Sequence, residues 1–329
     1  MAVPALLPSP PASPASPVAA AYARLGEVFT ALRIDERGRD ERTPRGAGWI
    51  GADELGAGGD GLDAFLAWDE AQVGRDYGTT ARPDVIASFG LHRYAWPTCL
   101  LVTVPWFLNR RVPRLPARNV AFHRALGRLA VRVEEFACLP GDPAATLPGA
   151  RVVPDEEALR AEVRASLAEH FEEVLSGVGP RMRRGRRARW GMVTDEIVEG
   201  LWYIATRLGE EDRALAELTR LLPGRTTPPG PARTPARTPA RTPARSTTQT
   251  PTTTTAPTTT AAAPHPPKPY VGGAGFRDLE GSAEACGAVR ATRDRATCCF
   301  FYTLRPEDTC LTCPRTADAE RVRRLTATA

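Results

Sequence analysis

Apolar side chains recur along most of this chain at helical spacing. Val18, Tyr22, Leu25, Phe29 and Leu32 share one face of a helix predicted over residues 17–32, with Ser16 to cap it and Pro17 in its first turn. Further helices are predicted over 62–75 and, after Pro83, over 84–109, the latter strongly apolar. Past Pro116 the period shortens to two. Val120 and Phe122 alternate, as do Leu129, Val131 and Val133, with Gly127 between the runs. This reads as a short antiparallel pair, bulged at Glu134-Glu135, leading to Phe136 and Cys138. Asp155 can cap a helix carrying Leu159, Val163, Leu167 and Phe171 four apart, which should stop near Gly177 and Gly179-Pro180. Two last helices are expected over 194–208, burying Ile197, Leu201, Ile204 and Leu208, and over 211–222. The fold class is therefore mainly α with a small antiparallel β element.

Composition divides the chain into four parts. Residues 1–16 are rich in Pro, Ala and Ser without a basic leader, so a disordered N-terminus is expected. Residues 17–222 form the helical body. Over 223–269 an Ala-Arg-Thr-Pro repeat gives way to a Thr/Pro/Ala tract, and Pro at every fourth place opposes helix and sheet alike, so a disordered linker is expected. Residues 270–329 are a small terminal module in which Phe276, Leu279 and Val289 offer little core, so a bound metal should supply much of its stability.

Charge changes the picture less than its total suggests. The net charge is +5, yet residues 223–269 hold five Arg, one Lys and no acid, which leaves −1 for the rest. A basic folded face for nucleic acid is not expected. The longest apolar run, 95–108, is 14 residues long and carries Pro97 and Pro105. It is too short to span a bilayer and reads as a kinked buried helix in a cytoplasmic protein.

Candidate chemistry concentrates at the C-terminal end. Of seven cysteines, four lie as Cys298-Cys299, ten residues, then Cys310-x-x-Cys313. Four thiolates this close make a complete ligand set for one soft metal centre. Adjacent cysteines point apart on an extended chain, so a bend there, or a cluster large enough to be reached twice, is required. That favours an iron–sulfur rhomb, leaving zinc open as a structural alternative and disulfides as a remoter one.

Cys298, Cys299, Cys310 and Cys313, with Arg295 before them and Pro314 after, resemble the C-terminal signature of the FhuF-like ferric-siderophore reductases. The resemblance is tight over about residues 290–325 and loose over the body. It implies a 2Fe–2S cluster held by these four cysteines, and one-electron reduction of siderophore-bound Fe(III) in the cytoplasm. The linker at 223–269 departs from that family's pattern and leaves open whether the cluster module docks on the body. Phe300, Phe301 and Tyr302 should cover the cluster from water. Cys286 reads as a non-ligand, and Cys99 and Cys138 as packing.

Other motifs weigh less. Gly56-Ala57-Gly58-Gly59-Asp60-Gly61 matches G-x-G-x-x-G, but no hydrophobic strand precedes it, so it reads as an ordinary loop. With no nicotinamide or flavin fingerprint, the electron donor is expected to be a separate protein, a ferredoxin or a reductase. Residues 181–189 hold six Arg and read as a basic loop, open to a siderophore, an acidic donor or acidic lipid headgroups at a membrane surface. His92 reads as structural. The two rival functions are a zinc-stabilised interaction module and an iron–sulfur redox sensor.

Overall fold

The computed structural model describes residues 16–224 and 266–327. The expected linker core and the first 15 residues lie outside them. The chain runs α1 (Ala19–Val28), β1 (Arg33–Arg37), β2 (Ile50–Gly51), α2 (Ala52–Ala57), α3 (Asp60–Tyr77), α4 (Pro83–Asn109) and β3 (Arg111–Arg114). It continues through β4 (Val120–His123), β5 (Arg128–Arg132), β6 (Glu135–Cys138), β7 (Ala150–Val152), α5 (Glu156–Arg181), α6 (Arg186–Arg207) and α7 (Glu211–Leu221). The terminal module holds β8 (Arg277–Asp278), α8 (Ser282–Cys286), β9 (Ala291–Thr292) and α9 (Asp318–Ala327). The fold is mainly α, as the periodicity implies.

Helix α4 is the axis, buried along nearly its whole length and packed by α1, α3, α5 and α6. It keeps Pro97 and Pro105 inside. Pro105 has no N–H to offer the carbonyl of Leu101, four residues back. The buried Tyr22 hydroxyl of α1 donates to that carbonyl at 2.9 Å, so the proline leaves no orphan there. Lower on α4 the Tyr94 hydroxyl meets His170 Nε2 at 2.7 Å, while His170 Nδ1 faces the Leu115 carbonyl at 2.9 Å. Nδ1 therefore carries the proton and Nε2 accepts. Burial pushes His170 down to about 4, which keeps it neutral and structural. No helix among the described residues is long and apolar enough to cross a membrane.

The β element is larger than the alternation shows. The expected pair is present: β4 and β5 are antiparallel, Val120 facing Val131 and Phe122 facing Leu129. They sit inside a four-stranded sheet, β1-β5-β4-β2, in which β1 pairs parallel to β5. Residues 135–138 are not the tail of a bulged hairpin. They form the centre of a second sheet, β3-β6-β7. The added strands, of two to five residues, are too short for a legible period.

Helix α5 ends at Arg181, one residue past the Gly179-Pro180 stop expected, but runs straight through Gly177. A Cβ at Gly177 would lie 2.0 Å from the Leu55 carbonyl oxygen, so the glycine serves close packing of α5 on α2. Pro180 falls in the final turn. The six arginines that follow are not a free loop, since Arg186 already opens α6. The G-x-G-x-x-G stretch joins α2 to α3 through Gly58 and Gly59, both at positive φ, with no strand-to-helix turn.

The module leaves the body where the body ends. Ala274 N–H donates to the Leu222 carbonyl at 2.8 Å and Gly275 N–H to that of Gly224 at 3.1 Å. Tyr270, 5 % exposed, edges onto Trp190 and donates its hydroxyl to the Arg164 carbonyl. Phe276 meets the Trp202 ring at 5.2 Å. Leu279 is buried as expected, but Val289 is 59 % exposed and is no core residue.

Two glycine substitutions separate packing from propensity. Gly177→Ala is expected to lower stability by about 1–3 kcal/mol, because its Cβ meets backbone that no rotamer change can relieve. Gly74→Ala, in α3 with open space around it, is expected to raise stability by about 0.5–1 kcal/mol. Chemical denaturation of the two variants checks both signs.

Candidate metal centre

Cys298, Cys299, Cys310 and Cys313 line one small cavity, together with Arg295, Phe301 and Tyr302. All four thiols are free. The bend that adjacent cysteines require is present: Phe300 adopts a left-handed φ of 69°, unusual for a bulky residue. Its N–H turns back to Cys298 Sγ at 3.3 Å. The other half is a tight turn, with Cys313 N–H donating to the Cys310 carbonyl at 3.0 Å. The halves are held together by Arg295 N–H on the Thr312 carbonyl at 2.9 Å. Buried Arg321 of α9 donates to the Cys313 carbonyl at 3.1 Å and ion-pairs with Asp294.

The thiols differ in acidity. A hydrogen bond with Cys313, aided by the Phe300 N–H, brings Cys298 down to about 7 against the effect of burial. Burial pushes Cys299 up to about 11, and the Cys313 bond with burial raises Cys310. Among the described residues, no three acidic, Cys or His side chains are gathered to hold a single ion. A rhomb of two irons asks for two sulfurs on each iron, and four soft donors round one cavity fit that demand.

What seats this loop is a clamp of buried charge on α6. Asp195, Glu196 and Glu199 stand on one side of that helix and meet Arg293 and Arg295 of the module. Asp195 accepts from Arg293 at 2.7 Å, and from Ala296 N–H and Thr297 N–H at 2.8 and 3.0 Å. Glu199 takes Arg293 at 2.8 Å and Arg295 at 2.7 Å. Glu196 ion-pairs with Arg295, and its Oε1 lies 2.7 Å from His92 Nδ1. Asp195, Glu196 and Arg293 side chains are fully buried. Burial alone would raise the Glu196 carboxyl, but Arg295 and His92 outweigh it and hold it low. The same carboxylates keep Arg295 well above its ordinary value despite burial. Gly191, one turn before Asp195, admits Thr297, whose methyl would lie 2.7 Å from a Cβ there.

The aromatic cover differs in detail from the sequence expectation. Phe301 stacks on Phe89 at 5.9 Å and edges onto Tyr77 at 5.6 Å, plugging the module into α3 and α4. Tyr302 lines the cavity under Arg315. Phe300 turns away and lies under Arg184, whose guanidinium is 4.4 Å from its ring and donates to the Cys298 carbonyl at 2.6 Å. Of the other arginines in that run, Arg181 pairs with Asp63, Arg186 with Glu172, and Arg189 reaches the Leu175 carbonyl. The run is thus largely spent on ties within the protein.

Cys99 and Cys138 are fully buried and do not line the cavity of the four cysteines, in keeping with packing residues. His92, paired with Glu196, also lines, with Phe89, Cys299 and Cys310, a recess of about 500 Å³ beside the cavity. Sequence reasoning missed the acids of α6 and Arg293. The available signals were the i, i+1, i+4 spacing of the acids within the apolar middle of α6 and the Arg-x-Arg just before the cysteines.

Four thiols round one cavity suit an iron–sulfur cluster or a four-cysteine zinc by donor type alone. Residues 295–315 match the family model described as the FhuF 2Fe-2S C-terminal domain. No curated protein matches the chain. The match bears out the resemblance over the cysteine segment, and the cofactor of that segment is a 2Fe–2S cluster. The zinc reading gives way to it.

Asp195→Ala strips Arg293 and two backbone N–H groups of their acceptor. Breaking a buried pair from one side costs about 3–5 kcal/mol. Urea unfolding followed both by visible absorption and by far-UV circular dichroism should show cluster loss well before loss of helix, where the unaltered protein shows the two transitions closer together.

Proposed function

We propose that Cys298, Cys299, Cys310 and Cys313 are the cluster ligands and that the protein reduces siderophore-bound Fe(III) to Fe(II) by one-electron transfer, in the cytoplasm. The observation that carries this reading is the match at 295–315 falling on the four cysteines that share one cavity. The cluster, when bound, supplies one electron to the ferric complex, and the hard oxygen donors of a siderophore hold Fe(II) far less strongly than Fe(III). The residues of the chain hold, orient and shield. Arg295 and Arg321 fix the two cysteine turns, Phe301 and Tyr302 limit water at the cavity, and Arg184 places a cation beside Cys298. The electron donor is a separate protein, a ferredoxin or a reductase. Within the Arg run, exposed Arg183 and Arg187 are left as the support for a contact with acidic lipid headgroups, the other four being tied within the protein.

The domain reading is likewise a proposal: a body at 17–222, a linker at 223–269 and a cluster module at 270–329. The hydrogen bonds joining Leu222 to Ala274 and Gly224 to Gly275 support a module seated directly at the end of the body. Deleting residues 230–260 should therefore leave the visible spectrum and the midpoint potential unchanged. Loss of the cluster on that deletion would give the linker a structural role.

Replacing any one of the four proposed ligands by Ser puts a hard, weakly acidic hydroxyl in place of a thiolate. Each variant is expected to lose or markedly weaken its cluster absorption and to release no Fe(II) from a ferric siderophore after pre-reduction. Cys99→Ala and Cys138→Ala should keep both, at a packing cost of about 1–3 kcal/mol. An intact cluster that releases no Fe(II) from any ferric siderophore would favour a redox sensor instead.

A further inference from the structure

The recess beside the cluster cavity has walls suited to a ligand. Phe29, Trp96 and Tyr203 form a triangle of rings, with centroids 5.1, 5.7 and 6.2 Å apart and each pair edge to face. Cys299 and Cys310 form its inner end. Arg295 and Glu199, which also line it, are already paired to each other at 2.7 Å, so they neutralise one another. Tyr203 is 45 % exposed, and Leu311, in the turn between the last two cysteines, is 39 % exposed. Large exposed apolar groups grouped at a redox centre mark a contact surface.

The recess does not end at Tyr203. A second hollow of about 640 Å³ shares Trp96, Glu199 and Tyr203 with it and runs on past Leu311 to Arg207 and Arg290. Those two guanidiniums have no carboxylate partner among the described residues. The two hollows make one trough, aromatic where it meets the cluster ligands and, at its far end, carrying the arginines Arg207 and Arg290 against one carboxylate, Glu211. Each hollow by itself has the size of a small-molecule pocket.

We propose that this trough is the seat of the ferric chelate, and that Tyr203 is the residue over which it lies. The chelated metal end packs against the rings beside Cys299 and Cys310, and the oxygen-bearing arms of the ligand extend toward Arg207 and Arg290. This rests on the proposed reductase function and adds to it the binding surface. The electron count is that of the proposed reaction: the reduced cluster loses one electron, and the chelated Fe(III) gains it.

Gallium(III) complexes test binding without reduction, since they share the shape of the ferric complexes and do not accept the electron. Equilibrium dialysis of the cluster-loaded protein against a gallium trihydroxamate and a gallium tricatecholate gives dissociation constants directly. Tyr203→Ala is expected to weaken the better of the two by about fivefold or more, the magnitude of a lost aromatic contact. Tyr203→Phe, which keeps the ring, and Val152→Ala, an equally exposed apolar residue on β7, should bind as the unaltered protein does. The visible spectrum should be the same in all four proteins. Failure of the unaltered protein to bind either complex, or an unchanged constant in Tyr203→Ala, overturns the assignment. Tight binding without Fe(II) release from the matching ferric complexes overturns the reductase reading and leaves the trough standing.

Discussion

The structure depends on two buried arginines meeting three acids across one face of α6. Asp195, Glu196 and Glu199 bring three negative charges, and Arg293 and Arg295 two positive ones, with His92 beside Glu196. Desolvating so many charges is costly and adds little net stability over apolar packing. Its effect is on placement. The Asp195 carboxylate takes the backbone N–H groups of Ala296 and Thr297, the two residues before Cys298, so the position of the first ligand is set from the body. A module with so small a core could not fix that position alone.

The same placement explains how two adjacent cysteines face one cavity. The left-handed turn at Phe300 costs strain for a bulky side chain. Arg184 repays part of it by covering the Phe300 ring and holding the Cys298 carbonyl, and Phe301, freed to point the other way, docks on Phe89. Body and module thereby share the aromatic trough, while the cluster cavity beside it is lined by residues 295–314 alone. Of the three α6 acids that clamp the module, Glu199 also lines that trough.

Local pattern carried much of this. The long apolar run predicts α4 to within a residue at either end, and the cysteine spacing points to the loop that forms the centre. What the pattern could not carry was tertiary. Gly177 reads as a helix stop because a glycine's freedom is local, whereas its use here, close approach to Leu55, depends on a helix 120 residues away. The arginines at 181–189 read as a solvated loop because their partners, Asp63, Glu172 and Cys298, are distant in sequence. Asp195, Glu196 and Glu199 were hidden for the same reason. Acids on a helix look like a solvated face until the guanidiniums that bury them are in view.

The central claim is that an electron stored at these cysteines passes to chelated iron. Anaerobic stopped-flow mixing of pre-reduced protein with an equimolar ferric siderophore, in the presence of a coloured Fe(II) chelator, follows both partners at once. Cluster reoxidation should precede or coincide with the appearance of Fe(II), with one Fe(II) formed for each cluster oxidised. A cluster that stays reduced while Fe(II) appears, or is reoxidised without any Fe(II) formed, would contradict it.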